Sequence, residues 1–152
     1  MRSPGVWYTA GARELLESGQ APRMLREADE YARTFDRAPV HLVIRVVLEA
    51  LAIVDSALER PSIVGGASIY PFVQNVLLGL RAEGLGAAFT TLLTPAEDEV
   101  RARLGIPEGV ALAGHISVGY RADAWPRALT RSRVEEFAYA EHWGERWHQG
   151  RS

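Results

Sequence analysis

The clearest hydrophobic pattern in the chain is a helical stripe between residues 69 and 80. Its apolar side chains recur at i, i+3, i+4, i+7, i+8 and i+11, the spacing of one face of an α-helix. These positions are Ile69, Phe72, Val73, Val76, Leu77 and Leu80. Ser68 stands where an N-cap belongs, and Gly84 is placed to end the helix in the left-handed conformation. Leu78 and Leu85 are also apolar, so we expect burial on more than one face, as in a central or dimer-interface helix.

A second helix is predicted after the segment Thr94-Pro95-Ala96-Glu97. This segment has the form of a capping box with proline at the first helical position, in which the Thr94 hydroxyl and the Glu97 carboxylate accept backbone N–H groups. Gly105, followed by Pro107, is expected to end this helix.

The remaining segments predict helices around a few strands. Shorter amphipathic helices are expected at residues 11–18 and 22–34, and an irregular excursion at 49–64. β-branched residues and the spaces left between helices predict three extended segments, at 40–48, 87–93 and 110–120. No internal repeat or low-complexity linker marks a second domain, so residues 1–152 are expected to form one domain.

Composition narrows the class of protein. The 152 residues are 47% apolar, with a formal net charge of -2, so bulk charge gives no reason to expect nucleic acid or an anionic membrane as a partner. The absence of cysteine excludes disulfides, thiolate metal sites and thiol catalysis. No apolar run reaches the roughly 18 residues of a membrane span, and the start lacks an apolar signal core. We expect a cytoplasmic protein.

Three motifs suggest chemistry that their context does not support. Gly84-Leu85-Gly86 resembles the start of a dinucleotide fingerprint, but it follows a predicted helix rather than a strand. The run Gly114 to Gly119 resembles a nucleophile elbow around Ser117, but its spacing is wrong and it reads as a strand. The histidines have no ligand spacing, so no metal site is expected. These are His41, His115, His142 and His148. We interpret His115 as a strand side chain with a local partner rather than as a catalytic base.

Four short motifs together resemble the nitroreductase family from Gly65 to about Glu136. In chain order they are Gln74-Asn75-Val76-Leu77-Leu78, Gly84-Leu85-Gly86, Leu104-Gly105-Ile106-Pro107 and Val118-Gly119-Tyr120. Each is weak alone, and their order and spacing make the resemblance specific. It implies an α+β fold with an antiparallel-containing sheet flanked by helices. It also implies a homodimer that holds FMN at the subunit interface, with NAD(P)H as reductant and a small nitroaromatic or quinone-like acceptor.

The resemblance also implies which residues bind the flavin. Thr90, Thr91 and Leu92 correspond to the passage beside the isoalloxazine ring, where backbone N–H groups face the flavin. Arg131 and Arg133 correspond to a basic pair on the FMN phosphate. Catalysis belongs to the flavin, so no catalytic side chain is expected. Without the resemblance, the threonines would be ordinary strand residues and the arginines solvated surface.

The arginine-rich opening segment of such enzymes has no counterpart upstream, so the resemblance predicts an N-terminally truncated form of the domain. An alternative function is therefore a non-catalytic remnant that keeps the dimerisation half and binds flavin weakly or not at all. Residues 134–152 hold several aromatic side chains among acids and are expected to form a C-terminal arm with an interface role.

Overall fold

The structure is a computed structural model that describes residues 10–122, 124 and 130–147. Its contacts divide the chain into two compact units, Met1–Arg121 and Ala122–Ser152, each described below by itself. The expected single domain with a C-terminal arm stays a prediction.

The described part of the first unit is a three-stranded antiparallel sheet with four α-helices. The strands are β1 (Val40–Val47), β2 (Leu85–Thr90) and β3 (Val110–Tyr120), in the spatial order β1-β3-β2. The helices are α1 (Ala10–Glu17), α2 (Arg23–Thr34), α3 (Ile69–Ala82) and α4 (Glu97–Leu104). Short 3₁₀ turns, one of them at Phe35–Arg37, join several of these elements. This arrangement confirms the predicted α+β fold with an antiparallel sheet.

Helix α3 packs on one face of the sheet and forms the core with it. Val73 lies against Ile44 of β1 and Ile116 of β3, all of them buried. Most of the stripe that predicted the helix therefore faces the sheet. Phe72, which belongs to the stripe, and Leu78 are each 54% exposed, so the described residues do not bury α3 on a second face.

The ends of α3 differ in how well they were predicted. Gly84 has a φ of 76° and ends the helix in the left-handed region, as expected. Ser68 precedes the helix but makes no side-chain capping bond, so its predicted N-cap bond is wrong. Its backbone, at φ −95° and ψ −34°, is already helical, whereas a capping side chain needs an extended backbone to reach the next N–H groups.

The predicted capping box at residues 94–97 is also wrong. Residues Thr94–Ala96 form a 3₁₀ turn, and α4 begins only at Glu97. The Thr94 hydroxyl has no hydrogen-bond partner among the described residues. Glu97 Oε1 instead accepts the backbone N–H of Leu112 at 2.6 Å. β2 pairs with β3 only as far as His115, so Leu112 of β3 lies beyond the end of β2. Its backbone N–H therefore bonds to a side chain instead of to a neighbouring strand.

The described part of the second unit contains a short helix and a hairpin-like turn. Helix α5 spans Val134–Phe137, and an isolated bridge joins Tyr139 to Arg146. The rings of Tyr139 and Trp143 lie 4.7 Å apart, and Trp143 is 90% exposed. Residues 148–152 of the predicted arm lie outside the described residues. In the parts of the chain that are described, no helix is long and apolar enough to cross a membrane.

Candidate functional site

The three residues predicted to face the flavin ring lie at the end of β2 and directly after it. Thr90 is the last residue of the strand, and its Oγ1 accepts the backbone N–H of Leu92 at 3.1 Å. Thr91 is exposed, and its carbonyl accepts the N–H of Thr94 at 3.0 Å. The chain therefore turns directly after Thr90, which is why β2 is shorter than the predicted 87–93 segment.

The sheet has a polar face opposite α3. Along β3, Ile116 points toward the α3 core, whereas His115 and Ser117 point the other way. Tyr31 of α2 reaches this face, with its hydroxyl 2.8 Å from the Ser117 hydroxyl. Phe35 completes the cover, with its ring edge-on to His115 at a centroid distance of 5.4 Å. A buried serine and a buried histidine are thus held under aromatic side chains.

His115 is paired with a second histidine. Nδ1 of His41 and Nε2 of His115 are 2.8 Å apart. The ring planes differ by only 18° and the centroids are 5.1 Å apart, so the two rings meet edge to edge and the contact is a hydrogen bond rather than a stack. The predicted local partner of His115 is therefore confirmed, although 74 positions separate the two residues.

The two rings of the pair differ in environment. His115 is 1% exposed, and its Nδ1 has no hydrogen-bond partner among the described residues. His41 lies at the exposed edge of β1. Burial, and secondarily the charge of His41, lower the pKa of His115 from 6.5 to about 4. The His115 ring is therefore neutral at pH 7.

The register of the sheet places His41 and His115 beside Thr90–Leu92, the segment predicted to face the flavin ring. Thr90 and His115 form the last residue pair between β2 and β3. Directly opposed residues in an antiparallel pair point to the same face of a sheet. The sequence could not show this neighbourhood, because it depends on how three strands pair.

The two predicted phosphate-binding arginines lie in the second unit. Both are exposed. Nη1 of Arg131 donates to the carbonyl of Thr130 at 2.9 Å. Nε of Arg133 lies 3.4 Å from a carboxylate oxygen of Glu135, so the charge of Arg133 is already paired.

These residues fit FMN in part. An exposed guanidinium such as that of Arg131 offers the planar donors that bind phosphate. Thr91, directly after the end of β2, is exposed, so its backbone is accessible to a planar ring. The N–H of Leu92, however, is already accepted by the Thr90 hydroxyl, so it would have to be shared or released to reach a flavin.

An apolar groove of about 520 Å³ lies elsewhere in the first unit. It runs along β1 beside Phe72 and Val76 of α3, and Pro107 and Val110 also line it. Thr90, Thr91 and Leu92 are not among its lining residues, since β1 and β2 are on opposite edges of the sheet. The groove is therefore distinct from the strand end described above.

Comparison with solved structures supports the fold. The chain is similar to a nitroreductase-like family protein from Bacillus cereus, with 17% identity, a TM-score of 0.53 and coverage of 90% of this chain and 71% of that one. It is similar to a nitroreductase with bound FMN from Desulfitobacterium hafniense DCB-2, with 18% identity, a TM-score of 0.50 and coverage of 90% and 63%. A nitroreductase family protein from Clostridium novyi NT matches at 14% identity, a TM-score of 0.47 and coverage of 83% and 62%. This chain thus spans between 62% and 71% of the length of these proteins.

The comparison with protein families gives a broader match than the resemblance noted from the motifs. The Nitroreductase family model matches residues 8–120, which is more than half of the chain. The match begins well upstream of Gly65 and includes α1, α2 and all three strands. The chain belongs to the nitroreductase family.

Proposed function

We propose that the protein is an FMN-dependent oxidoreductase of the nitroreductase type. It takes electrons from NAD(P)H and passes them to a small electron-poor acceptor, as a cytoplasmic homodimer. The single observation that supports this proposal best is the family match over residues 8–120. The FMN bound in the Desulfitobacterium hafniense protein, which has a similar fold, adds support for the cofactor.

The proposed roles of this chain's residues are to hold and orient the flavin. Thr91 and Leu92 offer backbone N–H groups to the ring edge, and Thr90 sets the turn that presents them. Arg131 binds the phosphate, and Arg133 adds a second guanidinium when it leaves Glu135. FMN, when bound, supplies the hydride chemistry.

A second candidate function is a non-catalytic family member that binds flavin weakly or not at all. Two observations favour it. The Leu92 N–H is engaged by Thr90, and Arg133 is paired with Glu135. Both groups would have to exchange an internal partner for the cofactor.

The visible absorption spectrum of the full chain separates the two candidates. The protein is incubated with FMN, freed of excess and then treated with NADH or NADPH. Retained flavin bands that bleach on adding the nicotinamide support the oxidoreductase. A protein that retains no flavin contradicts it and leaves the second candidate.

A matched pair of arginine variants tests the proposed phosphate contact. Arg131→Gln is expected to raise the FMN dissociation constant about ten- to a hundredfold, since a charge-assisted hydrogen bond is worth roughly 1.5–3 kcal/mol. Arg103→Gln removes an exposed arginine of α4 and is the control, with no change expected. Equal affinities for the two variants would remove Arg131 from the proposed site.

A further inference from the structure

The last residue pair between β2 and β3 places the two histidines next to Thr90–Leu92, the segment proposed to face the flavin ring. Thr90 lies directly across from His115 on β3. Beyond this pair, β3 continues to pair with β1 as far as Val110, whereas β2 has ended. β1 therefore pairs with β3 on both sides of His115, whereas the pairing with β2 ends at His115.

The hydrogen bond between His41 and His115 depends on how many protons the two rings hold. Across the 2.8 Å contact, one nitrogen must carry a hydrogen and the other must offer a lone pair. This condition is met when both rings are neutral and when only His41 is charged. When both rings are charged, all four nitrogens carry hydrogens, and two N–H groups point at one another. The doubly charged pair cannot keep this geometry.

A charged His115 has no compensating group in its present position. On this face His41 from β1 contacts His115, and the Tyr31 hydroxyl from α2 is bonded to Ser117. Arg45, which alternation along β1 puts on the same face as His41, is exposed and carries a positive charge, so it cannot compensate a charged His115. Phe35 covers the ring with apolar surface. Charging therefore requires access to water, because a buried charge without a partner is strongly unfavourable. The pKa of about 4 agrees with this cost.

We propose that His115 is a positioning residue for Thr90–Leu92, and that protonation of its buried ring opens the end of β2. Water reaches the ring where the ladder ends, and Thr90 leaves its place opposite His115. Leu92 moves with it, because the Thr90 hydroxyl holds its N–H. The release of flavin that follows rests on the proposed function, whereas the opening itself is a property of the sheet.

The experiment is an NMR titration of the full chain without flavin, from pH 7.5 to pH 4. The amide signals of Thr90 and Leu92 are expected to change with the midpoint of the His115 ring signals. Leu85 and Gly86, at the other end of β2, are not expected to follow that midpoint. In His115→Gln, which keeps a hydrogen-bonding group but cannot become charged, the change at Thr90 and Leu92 is lost. His142→Gln, which removes an exposed histidine of the second unit, leaves it intact.

A second variant keeps the test decisive if the wild-type protein unfolds near pH 4. His41→Ala removes the charge that helps to lower the His115 pKa, so the midpoint at Thr90 and Leu92 is expected to move to higher pH. Thr90 and Leu92 signals that ignore the His115 titration, or that change equally in His115→Gln, would overturn the proposal.

Flavin affinity gives a separate readout. If only the neutral form of His115 binds FMN, the dissociation constant doubles at the His115 midpoint and rises about tenfold for each further pH unit of acidification. In His115→Gln this rise is absent. A protein that binds no FMN even at pH 7 contradicts the proposed function, while the NMR titration still decides whether His115 positions the strand end. Bound FMN whose affinity does not follow the His115 midpoint contradicts the positioning role alone.

Discussion

Asp55 organises the irregular segment between β1 and α3. The residue is 5% exposed, and its carboxylate accepts hydrogen bonds from the Ser62 hydroxyl at 2.6 Å and the Ile63 backbone N–H at 3.0 Å. Nη1 of Arg60 lies 2.8 Å from the same carboxylate. One side chain thus joins both ends of a loop that has little regular structure of its own. The hydrogen bonds from Ser62, then from Ile63, lower the pKa of Asp55 below its ordinary 3.8.

Asp55→Asn is expected to destabilise the protein in a pH-dependent way. A carboxyl group with a lowered pKa stabilises the fold above its ordinary pKa, and this contribution is lost as pH falls through the lowered value. The variant should therefore melt several degrees below wild type at pH 7, and the difference should shrink below pH 3.8 as the wild-type carboxylate takes up its proton. Thermal unfolding followed by circular dichroism at several pH values measures this difference.

Asp98→Asn is the control. It removes a 98% exposed carboxylate beside Arg101 and should melt close to wild type. A constant gap at all pH values would contradict this account of Asp55.

At the scale of elements, the β-bulge in β3 depends on Gly114. The register between β1 and β3 shifts at Ile44 and Arg45, so that Ala113 has no direct partner. A Cβ on Gly114 would collide with the Phe89 ring and would lie 3.1 Å from the Thr90 carbonyl. Phe89 is packed against the core, which limits how far it can move.

Gly114→Ala is expected to lower the free energy of unfolding by about 1–3 kcal/mol, the usual cost of overpacking a core. Chemical denaturation measures the loss. Gly79→Ala is the matched control, because a Cβ at this position in α3 meets nothing within 4 Å. It should stabilise the helix, by up to roughly 1 kcal/mol. Equal effects of the two substitutions would mean that the close approach at Gly114 does not constrain the sheet.

The accuracy of the sequence-based predictions depended on whether the signal was local. The stripe of α3, the left-handed Gly84 and the end of α4 at Gly105 were predicted because each depends on a few neighbouring residues. The acceptor of the Leu112 N–H was missed, because Glu97 reaches it only once β2 has ended short of that position. A partner for His115 was predicted, but its identity was missed for a similar reason, since His41 meets His115 only through the β1–β3 register.

At the scale of the whole molecule, α3 offers apolar surface that the described residues leave uncovered. Leu78 is 54% exposed although its helix also contributes the buried Val73. A contiguous exposed apolar patch on a core helix is typical of a surface that binds another protein. The proposed homodimer would cover this side of α3, and a closed two-fold contact would bring the same helix of each copy into the interface.

Leu78→Asp is therefore expected to convert a dimer into a monomer while leaving the chain folded. The substituted side chain is already largely exposed, so the fold loses little, whereas a buried and unpaired carboxylate in each half of an interface opposes association. Sedimentation equilibrium measures the mass, and circular dichroism checks the fold. Leu104→Asp changes a leucine of α4 that is 57% exposed, and it should leave the mass unchanged. A wild-type protein that sediments as a monomer contradicts the homodimer itself. A Leu78→Asp protein that remains dimeric moves the interface away from this side of α3.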